Sequence, residues 1–340
     1  MEIKEILKEL CAIEAPSGRE VVDEENLKRI VMPYFDEYKK LNCYSYMFIK
    51  KCGKDNAKRV LLDAHFDQIG LMVTAVKDGG FLTFSSLGGL DTRTLVSSKV
   101  KVLTDDGYIL GVICSKNIHS TPIKIEDLYI ETDMTKEELE ARGVCVGTVG
   151  TLYIDEPIIS EFTYTDRSLD NRSSAVVNMR AVELLKDKEL ECDIYMLLSS
   201  QEESHGTGAM TGSVFANPDR AIVVDVDFGS TPETDKKDTF DLGAGPSIPI
   251  SVQCDRKMTK KLLAISKEKE IPAHPALNPT STGTNAIHVP FTIGIPTAVV
   301  GLPLRNMHTV YETVDIRDIE SSAKLIAEYI LSEYEVKKEA

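Results

Sequence analysis

Four apolar segments of this 340-residue chain are each followed by side chains that commonly bind divalent metals. Short apolar segments rich in β-branched residues are typical of buried parallel strands. In open α/β sheets, ligands bind beyond the carboxyl ends of such strands. The side chains that follow the four segments, together with one before a predicted helix, are His65 and Asp67, Glu202 and Glu203, Asp225, His308, and Asp170. We therefore predict one metal site at one edge of a sheet.

His65 and Asp67 are two residues apart on an extended segment, so their side chains point to the same side. A metal-bound histidine usually donates its other ring N–H to a carboxylate, which fixes the tautomer. Asp67 could accept that hydrogen bond, either with its side chain or through the backbone. Considered alone, this spacing is more often that of a structural histidine.

Glu202 and Glu203 place two adjacent carboxylates directly after a strand, where they repel each other unless a cation neutralises them. We predict that one binds metal and that the other is a general base. Such a base takes a proton from water whose pKa a metal has lowered. A solvated acidic loop explains the pair equally well when it is considered alone.

The other three candidates also have ordinary explanations when each is considered separately. Asp170 could be a helix N-cap, Asp225 a turn residue and His308 a surface-loop histidine. Two histidines and three or four carboxylates at one edge are poorly explained by independent accidents. Nitrogen and oxygen ligands without thiolate favour Zn²⁺, Co²⁺ or Mn²⁺. This number of ligands suits two ions that share one bridging carboxylate, with the water between them as nucleophile.

Composition excludes several classes of protein. The net charge is −15 and the pI is near 5.0, which argues against nucleic acid and anionic membrane surfaces as partners. No run of 18 apolar residues predicts a membrane span. The N-terminal residues lack the apolar core of a secretory signal, and the seven cysteines are scattered without a C-x-x-C pair. Reduced thiols and a cytoplasmic location are therefore expected.

Periodicity predicts the elements that position these side chains. The predicted helices are Ile3–Ile13, Glu20–Tyr38 (kinked or ended by Pro33), Asn171–Leu185, Gly208–Phe215, Lys257–Glu268 and Ile316–Tyr334. The predicted strands are Tyr44–Lys50, Arg59–Ala64, Asp193–Ser199, Ala221–Val226 and Pro296–Val300. Between Ile69 and Phe162, short strands with glycine turns predict a small antiparallel barrel. A helix capped by Thr135 and Glu138 interrupts that barrel.

These patterns predict an α/β protein with an insertion. Residues 1–68 and 163–340 would form a catalytic domain with a mixed, mostly parallel sheet flanked by helices. Residues 69–162 would form a β-rich domain inserted into it. The insertion would begin just after Asp67 and end before Asp170, so both of its ends would lie near the predicted site.

Taken together, the motifs resemble the glutamyl-aminopeptidase/cellulase-M family of dinuclear metallo-aminopeptidases, which includes the tetrahedral, self-compartmentalising enzymes. The matching segments, in the family's order, are Ala64–Gly70, Leu169–Arg172, Gln201–Glu203, Val223–Val226 and Arg305–Thr309. The resemblance implies a zinc-peptidase fold with an inserted PDZ-like dimerisation domain. It also implies peptide substrates and a dodecamer built from dimers.

The resemblance also implies a role for each site residue. His65 and His308 would each bind one metal, Asp170 would bridge both, and Glu203 and Asp225 would complete the two ligand sets. Glu202 would be the general base, and Asp67 would orient His65. Two divalent ions per subunit are expected, zinc or cobalt in first place and manganese as a further choice.

The sequence departs from the family pattern at several positions without losing a proposed ligand. The departures are Gln68, Asn171, Ser174, Ser204–Thr207, Asn285 and Asn306. His205, within one of them, is a candidate substrate contact. Arg305 could equally contact substrate or serve as a structural cation. His119, His274 and His288 are expected to have no metal role.

The predicted function is removal of N-terminal residues from peptides, with Glu202 activating the water between the metals. One alternative is a metal-dependent amidase or deacylase acting on a small molecule. Another is a non-catalytic peptide-binding assembly that uses the PDZ-like insertion. A glycosidase has little support, because it would need two carboxylates flanking a sugar bond rather than a histidine-bearing metal cluster.

Overall fold

The structure is a computed structural model, and it describes residues 2–20, 22–117, 122–232, 234–235, 239–278 and 284–336. The helices are α1 (Ile3–Cys11), α2 (Glu24–Val31), α3 (Thr92–Leu95), α4 (Lys136–Ala141), α5 (Leu169–Leu184), α6 (Thr207–Ala216), α7 (Arg256–Glu268), α8 (Thr284–Ile293) and α9 (Ile316–Tyr334). The strands are β1 (Glu37–Lys40), β2 (Tyr46–Lys50), β3 (Lys58–His65), β4 (Gly70–Val76), β5 (Leu82–Leu87), β6 (Lys99–Thr104), β7 (Gly107–Ser115), β8 (Leu128–Glu131), β9 (Val149–Tyr153), β10 (Ile158–Ile159), β11 (Thr163–Asp166), β12 (Cys192–Ser199), β13 (Arg220–Phe228), β14 (Ser247–Ile250), β15 (His274–Leu277), β16 (Thr297–Leu304) and β17 (Glu312–Asp315).

The main sheet has eight strands in the order β1-β2-β12-β3-β13-β16-β14-β15. Its four inner strands, β12, β3, β13 and β16, are parallel to one another, as their apolar sequences predict. Towards one edge, β2 is antiparallel to β12 and β1 is antiparallel to β2. Towards the other edge, β14 is antiparallel to β16 and parallel to β15. The predicted mixed sheet is therefore confirmed.

Helices cover both faces of this sheet. On β3, Val60 and Leu62 belong to the core shared with α5 and α9. Leu61, which points to the opposite face, belongs to the core shared with α6 and α8. Because alternate side chains of a strand are buried on opposite faces, the inner strands are apolar along their length. Polar side chains are left for the strand ends, where the predicted site lies.

Six strands between the two parts of the α/β region form a closed barrel in the order β4-β5-β8-β7-β6-β9. Antiparallel pairing of β4 with β9 closes it. Leu71, Val73, Val100 and Ile113 are among the fully buried side chains of its core. The helix expected to interrupt the barrel is α4, with the predicted reciprocal hydrogen bonds between Thr135 and Glu138. The small barrel is confirmed, while its likeness to a PDZ domain and the exact domain boundaries stay predictions.

The helix predicted over Glu20–Tyr38 begins later than predicted, and it ends just before Pro33, which is one of the two outcomes expected of that proline. Asp23 caps α2 by accepting the N–H groups of Glu25 and Asn26, so the helix begins later. Pro33 follows the end of α2 in a single 3₁₀ turn, because proline lacks the N–H that a continuing helix needs. The chain from Glu37 then forms edge strand β1, which pairs with β2.

Several short elements at the periphery were not predicted. They include β14 and β15, which contain Pro249 and Pro275, and the small sheet β10-β11-β17. Proline within a short segment argues against a strand unless the segment lies near a sheet edge. In the described part of the chain, no helix combines the length and the apolar character that a bilayer span requires.

Candidate metal centre and active site

The four inner strands bring the predicted side chains to one edge of the sheet. His65 is the last residue of β3 and is in register with Ser199, the last residue of β12. The chain continues from Ser199 into Glu202 and Glu203. Asp225 is near the end of β13, and His308 follows β16 after a short loop. The structure thus brings together side chains that are far apart in sequence.

His65, Asp170 and Asp225 form a first set of potential metal ligands. The His65 Nε2 atom is 2.9 Å from Asp170 Oδ1 and 3.8 Å from Asp225 Oδ1. The ligand atoms of these three residues lie within 4.8 Å of one another, and all three residues are buried. Glu202 Oε2 is 3.7 Å from the same His65 nitrogen, so this carboxylate faces the set without belonging to it.

Asp170, Glu203 and His308 form a second set. His308 Nε2 is 3.3 Å from Asp170 Oδ2 and 3.5 Å from Glu203 Oε2. The three ligand atoms again lie within 4.8 Å of one another. One oxygen of Asp170 therefore faces His65 and the other faces His308. That arrangement fits a carboxylate shared between two neighbouring cations.

Burial and mutual repulsion shift the pKa values of these groups. Burial, followed by the charge of Asp170, raises the pKa of Glu203 well above its ordinary value. Burial also raises the pKa of Asp225 well above its ordinary value. Burial opposes ionisation of Asp170 too, but hydrogen bonds from His308 and His65 outweigh it and hold the pKa of Asp170 low. Cations bound here would neutralise this buried negative charge, so the donor set fits divalent metals.

The backbone of Asp67 orients the ring of His65. His65 Nδ1 lies 3.1 Å from the carbonyl oxygen of Asp67, which can only accept a hydrogen bond. Nδ1 therefore carries a proton, and Nε2, which lies beside Asp170 and Asp225, would offer its lone pair to a cation bound there. The orientation of His65 thus comes from the backbone of Asp67, one of the two routes that the sequence left open.

The carboxylate of Asp67 has a different set of partners. Its Oδ1 accepts the backbone N–H of Glu202 at 2.9 Å, and its Oδ2 accepts that of Glu203 at 3.1 Å. Oδ1 is 3.5 Å from His65 Nδ1, a longer approach than either hydrogen bond. Asp67 consequently holds the backbone of the proposed base and of one proposed ligand.

Glu312 is a residue of the site that sequence reasoning missed. Its Oε2 accepts the backbone N–H of Asp170 at 3.0 Å, and its Oε1 accepts that of His308 at 2.8 Å. Glu312 is 1% exposed, and burial, followed by the charge of Asp170, raises its pKa well above the ordinary value. No sequence pattern marks it, because its partners are backbone groups and one of them, on Asp170, is 142 residues away.

Neither of the two candidate substrate contacts lines the cavity at this edge. The cavity measures about 580 Å³, and the described residues that line it include both ligand sets but neither Arg305 nor His205. Arg305 Nε donates to the carbonyl oxygen of Ser230. His205 is exposed. Their substrate roles stay predictions, and His119 lies outside the described residues.

Two of the sequence departures lie beneath the site. Asn285 Nδ2 donates to Asp63 Oδ2 at 2.8 Å and to Ser199 Oγ at 2.9 Å. Asn171 Nδ2 donates to the carbonyl oxygen of Val224 at 2.9 Å. Both asparagines are buried. Asn285 joins β3 to β12, while Asn171 joins the segment that carries Asp170 to β13, and neither belongs to a ligand set.

A family model for M42 glutamyl aminopeptidases matches residues 46–325. The chain belongs to this family. A lysyl aminopeptidase of Pyrococcus furiosus is 31% identical over 283 residues, which cover 80% of this chain and 81% of that protein. Membership makes the protein a metal-dependent aminopeptidase, a hydrolase of peptide bonds.

Solved structures have the same fold over nearly the whole chain. A TET aminopeptidase from a marine-sediment Thaumarchaeota archaeon superposes with a TM-score of 0.89 at 27% identity, covering 97% of this chain and 96% of the other. The Pyrococcus horikoshii TET1 peptidase gives a TM-score of 0.80 at 26% identity, covering 97% and 99%. That peptidase is described as assembling into a tetrahedron or a large octahedral shell.

Proposed function

We propose that this family member removes N-terminal residues from peptides at a centre of two divalent cations. His65, Asp170 and Asp225 would hold one cation, and Asp170, Glu203 and His308 the other. The observation that carries the proposal is the position of Asp170, whose two oxygens face His65 and His308 separately. Zinc and cobalt suit these nitrogen and oxygen donors best, and manganese is a further choice.

When bound, the cations would polarise the scissile carbonyl and lower the pKa of a water between them towards about 7. Glu202 is the proposed general base. Its Oε2 faces the first ligand set, and its backbone is fixed by Asp67. Glu202 would take a proton from the attacking water and deliver it to the nitrogen of the leaving amine. The carboxylates around the cavity would hold the free α-amine of the substrate.

We also propose a homo-oligomer, specifically a dodecamer built from dimers, in which residues 69–162 form a PDZ-like dimerisation domain. Support comes from the structural similarity to the Pyrococcus horikoshii TET1 peptidase, which can assemble into a tetrahedron or a large octahedral shell. We also propose a cytoplasmic location, which rests on the scattered cysteines of the sequence and the lack of a C-x-x-C pair among them.

The test is hydrolysis of chromogenic Leu, Glu and Lys amides, each with a free and an acetylated amine, by metal-loaded protein. Cleavage confined to the free amines and abolished by a chelator is the expected result. Cleavage of the acetylated amides would favour the amidase or deacylase alternative. Absence of cleavage from protein with metal bound would favour the non-catalytic peptide-binding alternative.

A further inference from the structure

The cavity extends along β13 beyond the two ligand sets. Asp227 and Phe228 line this extension together with Pro249 of β14 and Val299 of β16. Side chains two residues apart on a strand share one face and are separated by about 7 Å. Asp225 and Asp227 are related in this way, so Asp227 lies two residues farther along the same wall of the cavity.

The carboxylate of Asp227 is held in a fixed position. Its Oδ2 accepts the Ser247 hydroxyl at 2.6 Å, and its Oδ1 accepts the backbone N–H of Phe228 at 2.8 Å. Ser247 is fully buried. These two hydrogen bonds use about half of the roughly four acceptor positions of a carboxylate. The remaining positions are available to a donor that enters the cavity.

Gly301 provides the space for the hydrogen-bonded side chains of Ser247 and Asp227. A Cβ atom at Gly301 would lie 2.2 Å from Ser247 Oγ and 3.2 Å from Asp227 Oδ2. Any larger residue would therefore displace the hydroxyl that positions Asp227. The local sequence and the backbone together build a recess for one negatively charged group.

The metal centre does not account for the charge of Asp227. Asp170, Glu203 and Asp225 are proposed ligands, and Glu202 is the proposed base. Two divalent cations carry four positive charges, which match these four carboxylates. Asp227 adds a further negative charge, and none of the described residues lining the cavity is lysine or arginine. The free α-amine of the substrate is assigned to the carboxylates beside the metal ligands, so a cationic side chain of the substrate would supply the countercharge for Asp227.

We propose that Asp227 is a specificity-determining residue that binds the cationic side chain of an N-terminal lysine or arginine. This inference rests on the proposed aminopeptidase function. Lysine and arginine carry their charge at the end of a long apolar stem. Pro249, Val299 and Met307, which also line the cavity, would cover that stem, while the scissile bond stays beside the metal ligands.

The experiment compares the wild-type chain with Asp227→Asn, both metal-loaded, on Lys, Leu and Glu amides with free amines. The wild type should prefer the Lys amide. In Asp227→Asn the ratio of kcat/KM for Lys to that for Leu should fall about 10- to 100-fold, mainly through KM for the Lys amide. Asp227→Ser is a second variant, in case asparagine at this position causes a folding defect. The ratio of kcat/KM for Lys to that for Leu should fall by the same factor in it.

Asp78→Asn is the matched control, because it removes one negative charge from a fully exposed position on the barrel. The ratio should stay at its wild-type value in this variant. A wild-type enzyme that cleaves Leu and Lys amides equally well would overturn the inference while leaving the proposed function intact. Equal losses on both amides in Asp227→Asn would also overturn it, because Asp227 would then serve a feature common to all substrates. No hydrolysis of any amide would overturn the proposed function itself.

Discussion

The carboxylate of Asp67 accepts a hydrogen bond from the backbone N–H of Glu202, 135 residues away in the sequence. Its other oxygen accepts the N–H of Glu203, so one buried side chain fixes both residues of the acidic pair. Their side chains diverge from this shared anchor. Glu203 faces His308, and Glu202 faces His65. Two adjacent carboxylates can thus have different roles, as the sequence analysis predicted.

Replacement of Asp67 by asparagine should lower activity more than metal binding. Asparagine turns one of the two acceptors into a donor, so one N–H of the Glu202–Glu203 pair loses its partner. We expect kcat to fall about 10- to 100-fold. The carbonyl of Asp67 that orients His65 is unchanged, so metal content should stay near that of the wild type. Steady-state kinetics and metal analysis of the same preparation measure both effects. A loss of metal with normal kcat per bound metal would assign the carboxylate to His65 instead.

Glu202→Gln should separate metal binding from turnover. Glutamine keeps the size of the side chain but cannot accept a proton from water, so kcat should fall about 10²- to 10⁴-fold. Both cations should remain bound, because Glu202 lies outside the two ligand sets. Glu203→Gln is the contrasting variant, which should lose affinity for one cation. Metal stoichiometry and single-turnover rates distinguish them, and normal turnover in Glu202→Gln would refute its role as base.

The sequence predicted which side chains meet at this edge of the sheet, because strands buried on both faces have a strong signature. Each inner strand is continuously apolar, and parallel strands present their carboxyl ends at one edge. His65, Asp225 and the Glu202–Glu203 pair could therefore be placed together from their positions in the sequence alone. The assignment of Asp170 as the shared ligand depended on the family resemblance, and the geometry of its two oxygens agrees with it.

The other features of the site and the fold could not be predicted from the sequence, and each has a physical reason. Glu312 acts on backbone N–H groups, and no side-chain pattern records such a partner. The recess of Asp227 depends on Ser247, which lies on the unpredicted strand β14. Strand β1 was hidden within a helical pattern, because an exposed edge strand of polar residues lacks the apolar alternation that identifies strands.

Glu312→Gln should weaken binding of both cations. Glu312 joins the backbone of Asp170 to that of His308, and these residues lie in the first and second ligand sets. The amide of glutamine would direct a donor at one of these N–H groups, so the two segments would no longer be held together. We expect metal affinity to fall about 10- to 100-fold. Competition with a chelator measures it, and the exposed Glu161→Gln serves as control. Unaltered affinity would show that the rest of the fold positions both ligands.

Gly89→Ala should affect one cation selectively. Gly89 belongs to the barrel loop between β5 and α3, and a Cβ atom there would lie 2.5 Å from His308 Nδ1. The His308 ring must move, which weakens the set that contains Asp170 and Glu203. We expect about one tightly bound cation per subunit in place of two. Titration with cobalt, followed by absorption, reports the number of occupied sites. The control is Ser86→Ala, at an exposed position of β5 just before this loop, which should retain both cations. Two tight sites in Gly89→Ala would show that the loop moves and the His308 ring keeps its position.

Glu20 should make the stability of the protein depend on pH. Burial, followed by the charge of Asp67, raises the pKa of Glu20 to about 7. Its Oε1 accepts the N–H groups of Gly18 and Gln201, while its buried Oε2 has no hydrogen-bond partner. An acid whose pKa is raised by folding binds its proton more tightly in the folded state. The free energy of unfolding is therefore higher below pH 4.5 and declines as the pH rises towards 7.

Glu20→Gln mimics the protonated side chain, so it should remove this contribution. Relative to the variant, the wild type should lose about 3 kcal/mol of unfolding free energy between pH 4.5 and pH 8. Because both proteins share every other titrating group, the difference between their denaturation midpoints isolates Glu20. Guanidinium unfolding of the two proteins at pH 5, 6, 7 and 8 with a chelator present gives that difference without a contribution from metal binding. Parallel curves across this range would mean that Glu20 is ionised in the folded protein at pH 5, with a cation or water compensating its buried charge.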